Sequence, residues 1–201
     1  MTDAEPPAPA SGPVDWDARF RAGDAPWERA GLHPAVPFWL DAGEARQGWS
    51  VLVPGCGRGL EPLAFAKAGL EVTALDMAPS AIAFQRRLLA EHGLSAVLVE
   101  GDALAWRPDA PADLIYEQTF LCAISPKLRG LYEQTVHAWL KPGGRLLALF
   151  MQKAEWGGPP YACPAPEMRT LFSPDRWDWP STEPVRFDHE RQPALHELGV
   201  V

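Results

Sequence analysis

Residues 51–59 read VLVPGCGRG, so glycine stands at 55, 57 and 59 where a short apolar run ends. A bare backbone there serves either a tight turn or a ligand that passes closer than any side chain would allow. Asp76 lies about 20 residues beyond the loop, at the end of a second apolar run, where a carboxylate can accept hydrogen bonds from two ribose hydroxyls. A third acidic position, Asp102 followed by Ala103, comes just after a third run. Together these residues point to a cofactor that carries a nucleoside.

The spacing narrows the choice. The loop is G-x-G-x-G, not the G-x-G-x-x-G that seats a pyrophosphate on a helix N-terminus, and the chain has no G-x-x-x-x-G-K-[ST] loop for a triphosphate. S-adenosylmethionine has no phosphate to cradle, and an acidic residue after the third strand can face its adenine amino group. The plainer alternative for Asp102 is a solvated helix cap.

These residues need a frame that holds them at one edge. From Ser50 onward, short apolar runs alternate with helical segments. Strands are expected at 50–54, 71–75, 96–99, 113–116 and 145–150, and helices at 60–68, 79–92 and 127–140. Gly69 and Gly93 stop the first two helices, and KPGG at 141–144 turns the chain into the fifth strand. This alternation indicates an α/β fold, a doubly wound, mostly parallel, Rossmann-like sheet that binds ligands beyond the carboxyl ends of its strands. Residues 185–189 and 195–201 are expected to add an antiparallel C-terminal hairpin. Residues 1–13 are acidic and proline-rich and are expected to be a disordered tail. Residues 14–201 are expected to form a single domain, in which 14–49 carry Trp16, Trp27 and Trp39 and act as an N-terminal lid segment.

The chain has 201 residues and a formal net charge of -8, which argues against broad binding to nucleic acid or to anionic membrane. Its three cysteines, Cys56, Cys122 and Cys163, are widely spaced, and no Cys/His cluster suggests a metal. No apolar run approaches the roughly 18 residues of a spanning helix. A cytoplasmic monomer acting on small molecules is expected.

Seven stretches resemble the thiopurine/thiol/halide family of S-adenosylmethionine-dependent methyltransferases, and within it the plant-type thiol and halide branch. They are WDARFRAGDAPWE at 16–28, LVPGCGRG at 52–59, LDMAPSAI at 75–82, GDALAWRP at 101–108, ADLIYEQTFLCAISPKLR at 112–129, LKPGG at 140–144 and GGPPY at 157–161; PAPEMRTLF at 164–172 also looks familial. The glycine loop and LKPGG are widespread among methyltransferases, whereas the aromatic start combined with GGPPY is specific. The resemblance implies cofactor contacts from Trp16, Phe20, Trp27, Gly55, Gly57, Asp76, Asp102, Ala103 and Gln118. It places Tyr161 at the methyl-acceptor pocket. Phe20 stands where the plant branch tends to have tryptophan. Gln118 stands where that branch tends to have tyrosine and the thiopurine branch arginine. Both departures bear on the acceptor rather than on the cofactor.

Methyl transfer from a sulfonium is an in-line displacement in which charge disappears when the nucleophile is an anion. An enclosed, water-poor site that aligns the reactants favours it, and aromatic faces favour the sulfonium by about 0.5–2 kcal/mol. The plainer use of Trp16, Phe20 and Trp27 is packing against a helix. Thiols ionise usefully near neutral pH and halides need no deprotonation, so no dedicated base is expected. The five histidines, His33, His92, His137, His189 and His196, are expected at surfaces or helix ends. Glu117 is expected either to orient an acceptor or to bond nearby backbone, and Cys56 to be a small packing residue. The expected acceptors are a thiol, thiopurine, sulfide or halide. The alternatives are methylation of oxygen or nitrogen on a small molecule, and a non-catalytic protein that binds the same cofactor.

Overall fold

The alternation that begins at Ser50 becomes a seven-stranded sheet in the order β3-β2-β1-β4-β5-β7-β6. This is a computed structural model. It describes residues 14–201 except 155, 156, 191 and 193, so the tail expected over residues 1–13 lies outside the described residues. The strands are β1 (Ser50–Pro54), β2 (Glu71–Asp76), β3 (Val97–Glu100), β4 (Ala112–Gln118), β5 (Leu140–Gln152), β6 (Val185–Asp188) and β7 (His196–Val200). The first five pair in parallel, and β7 runs antiparallel to both β5 and β6. The doubly wound sheet and its C-terminal hairpin are therefore present as expected.

β1 has β2 on one side and β4 on the other. The chain winds outward from β1 to β3, then crosses back to β4 and continues the other way. The crevice at that reversal opens beyond the carboxyl ends of β1 and β4, where ligands bind in such sheets. Topology thus delivers the glycine loop, Asp76, Gly101–Asp102 and Gln118 to one edge.

Side chains alternate across each strand and so feed two cores. Leu52 and Ile115 face one core, with Tyr132 and Trp139 of α5 (Arg129–Trp139) and Met168 of α6 (Ala165–Leu171). Val51, Val53 and Leu114 face the other, with Trp39 of α2 (Ala35–Asp41) and Phe65 of α3 (Glu61–Lys67). Phe65, Leu114 and Ile115 are fully buried, and burying such a side chain stabilises the fold by about 1.5–3 kcal/mol.

KPGG behaves as a turn inside the strand ladder. Ala112 pairs with Leu140 but Leu114 with Arg145, so residues 141–144 bulge out before the parallel register resumes. The helix expected over 127–140 begins as a 3-10 turn at Pro126–Leu128 before α5 takes over.

Three seven-residue helices lie outside the sequence expectations, and α1 (Trp16–Ala22) concerns the site most. Asp15 caps it, accepting from Ala18 N at 2.9 Å, and Gly23 closes it in the left-handed region. It docks on α4 (Pro79–Glu91), where Phe20 and Ala25 pack on Ala78 and Ala81, and Asp17 accepts from Ser80 N at 2.9 Å. Among the described residues, no helix is long and apolar enough to cross a membrane.

Candidate active site at the sheet switch point

Two cavities of 430 and 340 Å³ adjoin at the carboxyl edge of the sheet, within the range of about 300–1,000 Å³ usual for ligand sites. Gly55, Thr119, Phe20 and Trp27 belong to the walls of both. Asp76, Asp102, Ala103 and Trp16 line the larger, and Gly57 and Gln118 the smaller. All nine expected cofactor residues are therefore brought together.

The loop after β1 turns through Gly55 at φ +61° and Gly57 at φ +50°, a conformation that side chains rarely adopt. A Cβ at Gly55 would meet Phe120 Cδ2 at 2.5 Å, and one at Gly57 would meet Phe20 Cζ at 3.2 Å. What presses against the bare backbone at these two positions is the protein's own rings. Gly59 serves a different purpose: a side chain there would collide with the Glu61 carboxylate.

Asp76 ends β2 only 8 % exposed. Its Oδ2 accepts from Gly57 N and its Oδ1 from Ala78 N, both at 2.8 Å. Burial raises its carboxyl above the ordinary aspartate value, and those N–H groups pull against the rise. The carboxylate thus ties the glycine loop to the start of α4 and still presents itself to the cavity. Asp102 is exposed, and its Oδ1 accepts from Leu104 N at 2.9 Å. No helix follows it directly, so in place of the expected helix cap it closes a turn, and it also lines the cavity beside Asp76.

Over these residues lie the rings of the N-terminal segment. Trp16 and Trp27 meet edge-to-face at 5.3 Å, and Phe20 and Trp27 at 5.8 Å. The Arg19 guanidinium stands 4.4 Å from the Trp27 ring centre. The packing reading of these aromatics is correct, since they sit on α4, but the same rings wall both cavities. Trp39 is different, buried against Tyr116 and Phe187.

Gln118 accepts from Tyr116 Oη at 2.8 Å. Thr119 follows at φ +62°, a strained conformation for a β-branched residue, at the seam between the cavities. Glu117 lines neither cavity. Its Oε1 accepts from Leu121 N at 2.9 Å and its Oε2 from Tyr132 Oη at 2.6 Å, and burial lifts its pKa to about 7. It therefore anchors the loop after β4, as the backbone-bonding reading expects.

Much of the remaining wall of the larger cavity is apolar, with Ile124, Met151, Pro159, Pro160 and Leu195 in it, beside the polar Arg19, His189 and Gln192. From GGPPY, the two prolines reach this wall and Tyr161 does not; its backbone N–H donates to Cys122 O at 2.7 Å. Two histidines depart from expectation. His33 is fully buried and His189 nearly so, the latter in the cavity wall, where burial and then the Arg29 charge lower its pKa. Cys56 is buried, which pushes its thiol well above the ordinary range and suits it to packing. The sequence reasoning missed Thr119 and Phe120, which nothing but their place after β4 marks, and Arg29 and Glu61.

The residues present fit a phosphate-free nucleoside cofactor. A carboxylate stands at the edge of β2, a second after β3, and a side-chain-free bend lies between them and a further cavity.

The family model for thiopurine S-methyltransferase (TPMT) matches residues 12–192. The chain is 31% identical over 162 residues to a probable thiol methyltransferase 2 of Arabidopsis thaliana, covering 79% of this chain and 71% of that relative. It is 30% identical over 177 residues to a thiopurine S-methyltransferase of Vibrio cholerae, covering 80% of each. Among solved structures it is similar to the 1,6-didemethyltoxoflavin-N1-methyltransferase of Burkholderia thailandensis, with bound 1,6-didemethyltoxoflavin and S-adenosylhomocysteine. That likeness has a TM-score of 0.73 at 22% identity, covers 96% of this chain and 91% of the other, and is one of fold.

Proposed function

The chain belongs to the thiopurine S-methyltransferase family, and from that premise we propose that it methylates the sulfur of a small, largely apolar molecule. Its cofactor is S-adenosylmethionine, which supplies an electrophilic methyl group when bound. The observation that carries the reading is the convergence of Asp76, Gly55 and the Trp16–Phe20–Trp27 cluster on two adjoining cavities.

In this reading Asp76 takes the ribose hydroxyls with its remaining acceptor capacity. Asp102 and the backbone at Ala103 face the adenine. Gly55 and Gly57 let the methionyl arm cross the loop, with Gln118 beside it. The segment 14–49 acts as a lid, a reading supported by Trp16, Phe20 and Trp27, which belong to the cavity wall and pack on the start of α4. They exclude water and present aromatic faces to a sulfonium, worth about 0.5–2 kcal/mol.

Ile124, Met151, Pro159, Pro160 and Leu195 would receive the acceptor. An apolar wall removes water from an attacking thiolate and leaves alignment to do the rest. Tyr161 follows the two wall prolines, and we retain for it the role of positioning the acceptor through that loop. No base is required for a thiol, because a useful fraction is ionised near neutral pH.

A second reading, an oxygen or nitrogen acceptor, draws on His189. Its lowered pKa keeps the imidazole neutral in the cavity wall, as a proton acceptor must be. Incubation of the purified protein with the cofactor and a panel of aryl thiols, alkyl thiols, thiopurines, sulfide, iodide, phenols and aryl amines, with S-adenosylhomocysteine as readout, separates the two. Turnover highest on apolar thiols is expected. Turnover on phenols or amines but not on thiols would overturn the sulfur reading.

A further inference from the structure

Gln85 is a polar side chain of α4 that lines neither cavity and has 0 % of its surface exposed. Its Nε2 donates to Gly57 O at 3.0 Å and to Gly59 O at 2.8 Å. Both partners are carbonyls, which only accept, so the amide nitrogen and not the amide oxygen faces them. The oxygen is left over: Oε1 is buried and meets no donor among the described residues.

The rest of the glycine loop is held as closely. Cys56 N donates to Leu75 O at 2.9 Å and Gly57 N to Asp76 Oδ2 at 2.8 Å. β2 thus takes two N–H groups of the loop, and Gln85 takes two of its carbonyls. A backbone with glycine at every second position is otherwise free to turn its peptide planes over. Neither peptide bond that follows these carbonyls is cis, so a carbonyl held toward α4 leaves the next N–H on the opposite side. Released from Gln85, either oxygen could swing toward the smaller cavity, which Gly57 and Gly59 both line.

An unmet amide oxygen is a cost that an apolar side chain of the same length would avoid. What the amide offers in exchange is its pair of bonds to the loop, and those bonds account for glutamine in a fully buried place. We propose that Gln85 is a positioning residue for the cofactor: it keeps two carbonyl oxygens of the glycine loop turned away from the cavity and so sets the loop before the cofactor arrives. This rests on the cofactor reading above and concerns the shape of the loop, not a contact with the ligand. A loop set in advance need not be ordered on binding, and that cost is then absent from the binding free energy.

Calorimetry with S-adenosylhomocysteine on the full chain tests the assignment, beside thermal melts without ligand and amide NMR spectra of Gly57, Arg58 and Gly59. Gln85→Met keeps the length and removes both donors. It should weaken S-adenosylhomocysteine about ten-fold. In the ligand-free variant the three amide signals should broaden or double, and saturating ligand should return each to a single signal. Leu89→Ala, at another buried position of α4, controls for destabilisation: it should lower the melting temperature and leave the affinity unchanged. If Gln85→Met does not fold, Gln85→Glu decides by the same loss, since it keeps the shape and can hold at most one of the two carbonyls. A melting temperature that falls in the Gln85 variant while affinity and amide signals stay as in wild type would make Gln85 a purely structural residue and overturn the proposal. A wild-type protein that does not bind S-adenosylhomocysteine refutes the cofactor reading and the proposal with it, whereas equal binding by wild type and variant refutes the positioning role alone.

Discussion

Gly55→Ala tests whether the bare loop is shaped by Phe120 as well as by a ligand. At φ +61° an L side chain costs about 1–2 kcal/mol in backbone strain. The new methyl would also sit 2.5 Å from Phe120 Cδ2. That half-buried ring is tilted against the buried Tyr132 with centres 5.5 Å apart, so moving toward it disturbs the Tyr132 ring. Overpacking of this kind costs about 1–3 kcal/mol, so Gly55→Ala should lose about 2–5 kcal/mol of stability. Phe120→Ala removes the ring but leaves φ alone. In the double variant the backbone strain should persist while the overpacking vanishes, giving a coupling of about 1–3 kcal/mol in the stabilising direction. Urea unfolding of the four proteins, followed by tryptophan fluorescence and far-ultraviolet circular dichroism, measures it. Additivity within about 0.5 kcal/mol would refute the contact.

Glu117→Gln should flatten the pH dependence of stability. Burial raises the folded Glu117 pKa from 4.5 to about 7, so the folded state binds the proton more tightly. The contribution of Glu117 is then fully present below pH 4.5 and is lost as pH rises to about 7, by something on the order of 3 kcal/mol. The variant should gain on wild type across that window in urea titrations at pH 4.5, 6 and 8; parallel profiles would refute the assignment. Asp76→Ala should weaken cofactor binding by about 1–3 kcal/mol and lower stability by a similar amount, because Gly57 N and Ala78 N lose their acceptor. Calorimetry with unchanged affinity would remove Asp76 from the site.

Legibility in the sequence followed the range of the interactions. β1, the glycine loop and Asp76 were readable because apolar runs, glycine spacing and a terminal carboxylate are local signals. The hairpin of β6 and β7 was readable for the same reason. α1 had a signal that went unused: Asp15 before and Gly23 after an amphipathic turn are ordinary caps. α2 and α6 are seven residues long and start without a side-chain cap, so little marked them. Phe120 on Gly55 and the exclusion of Tyr161 from the cavity wall depend on loop paths that no periodicity encodes. The buried group around Glu197 was illegible, since a lone glutamate in a strand pattern reads as solvated until Arg29 and His33 arrive from the other end of the chain.

That last arrangement has a consequence for how the molecule is made. Arg29 meets Glu197 across 168 positions of chain, so the N-terminal segment beside the candidate site is moored to a strand synthesised long after it. While a ribosome is still working, the early aromatics have α4 to rest on but no mooring for Arg29. A nascent chain cut short before β7 would keep the parallel strands and yet lack that tie for its N-terminal segment, and it should be more exposed to proteases than the complete protein.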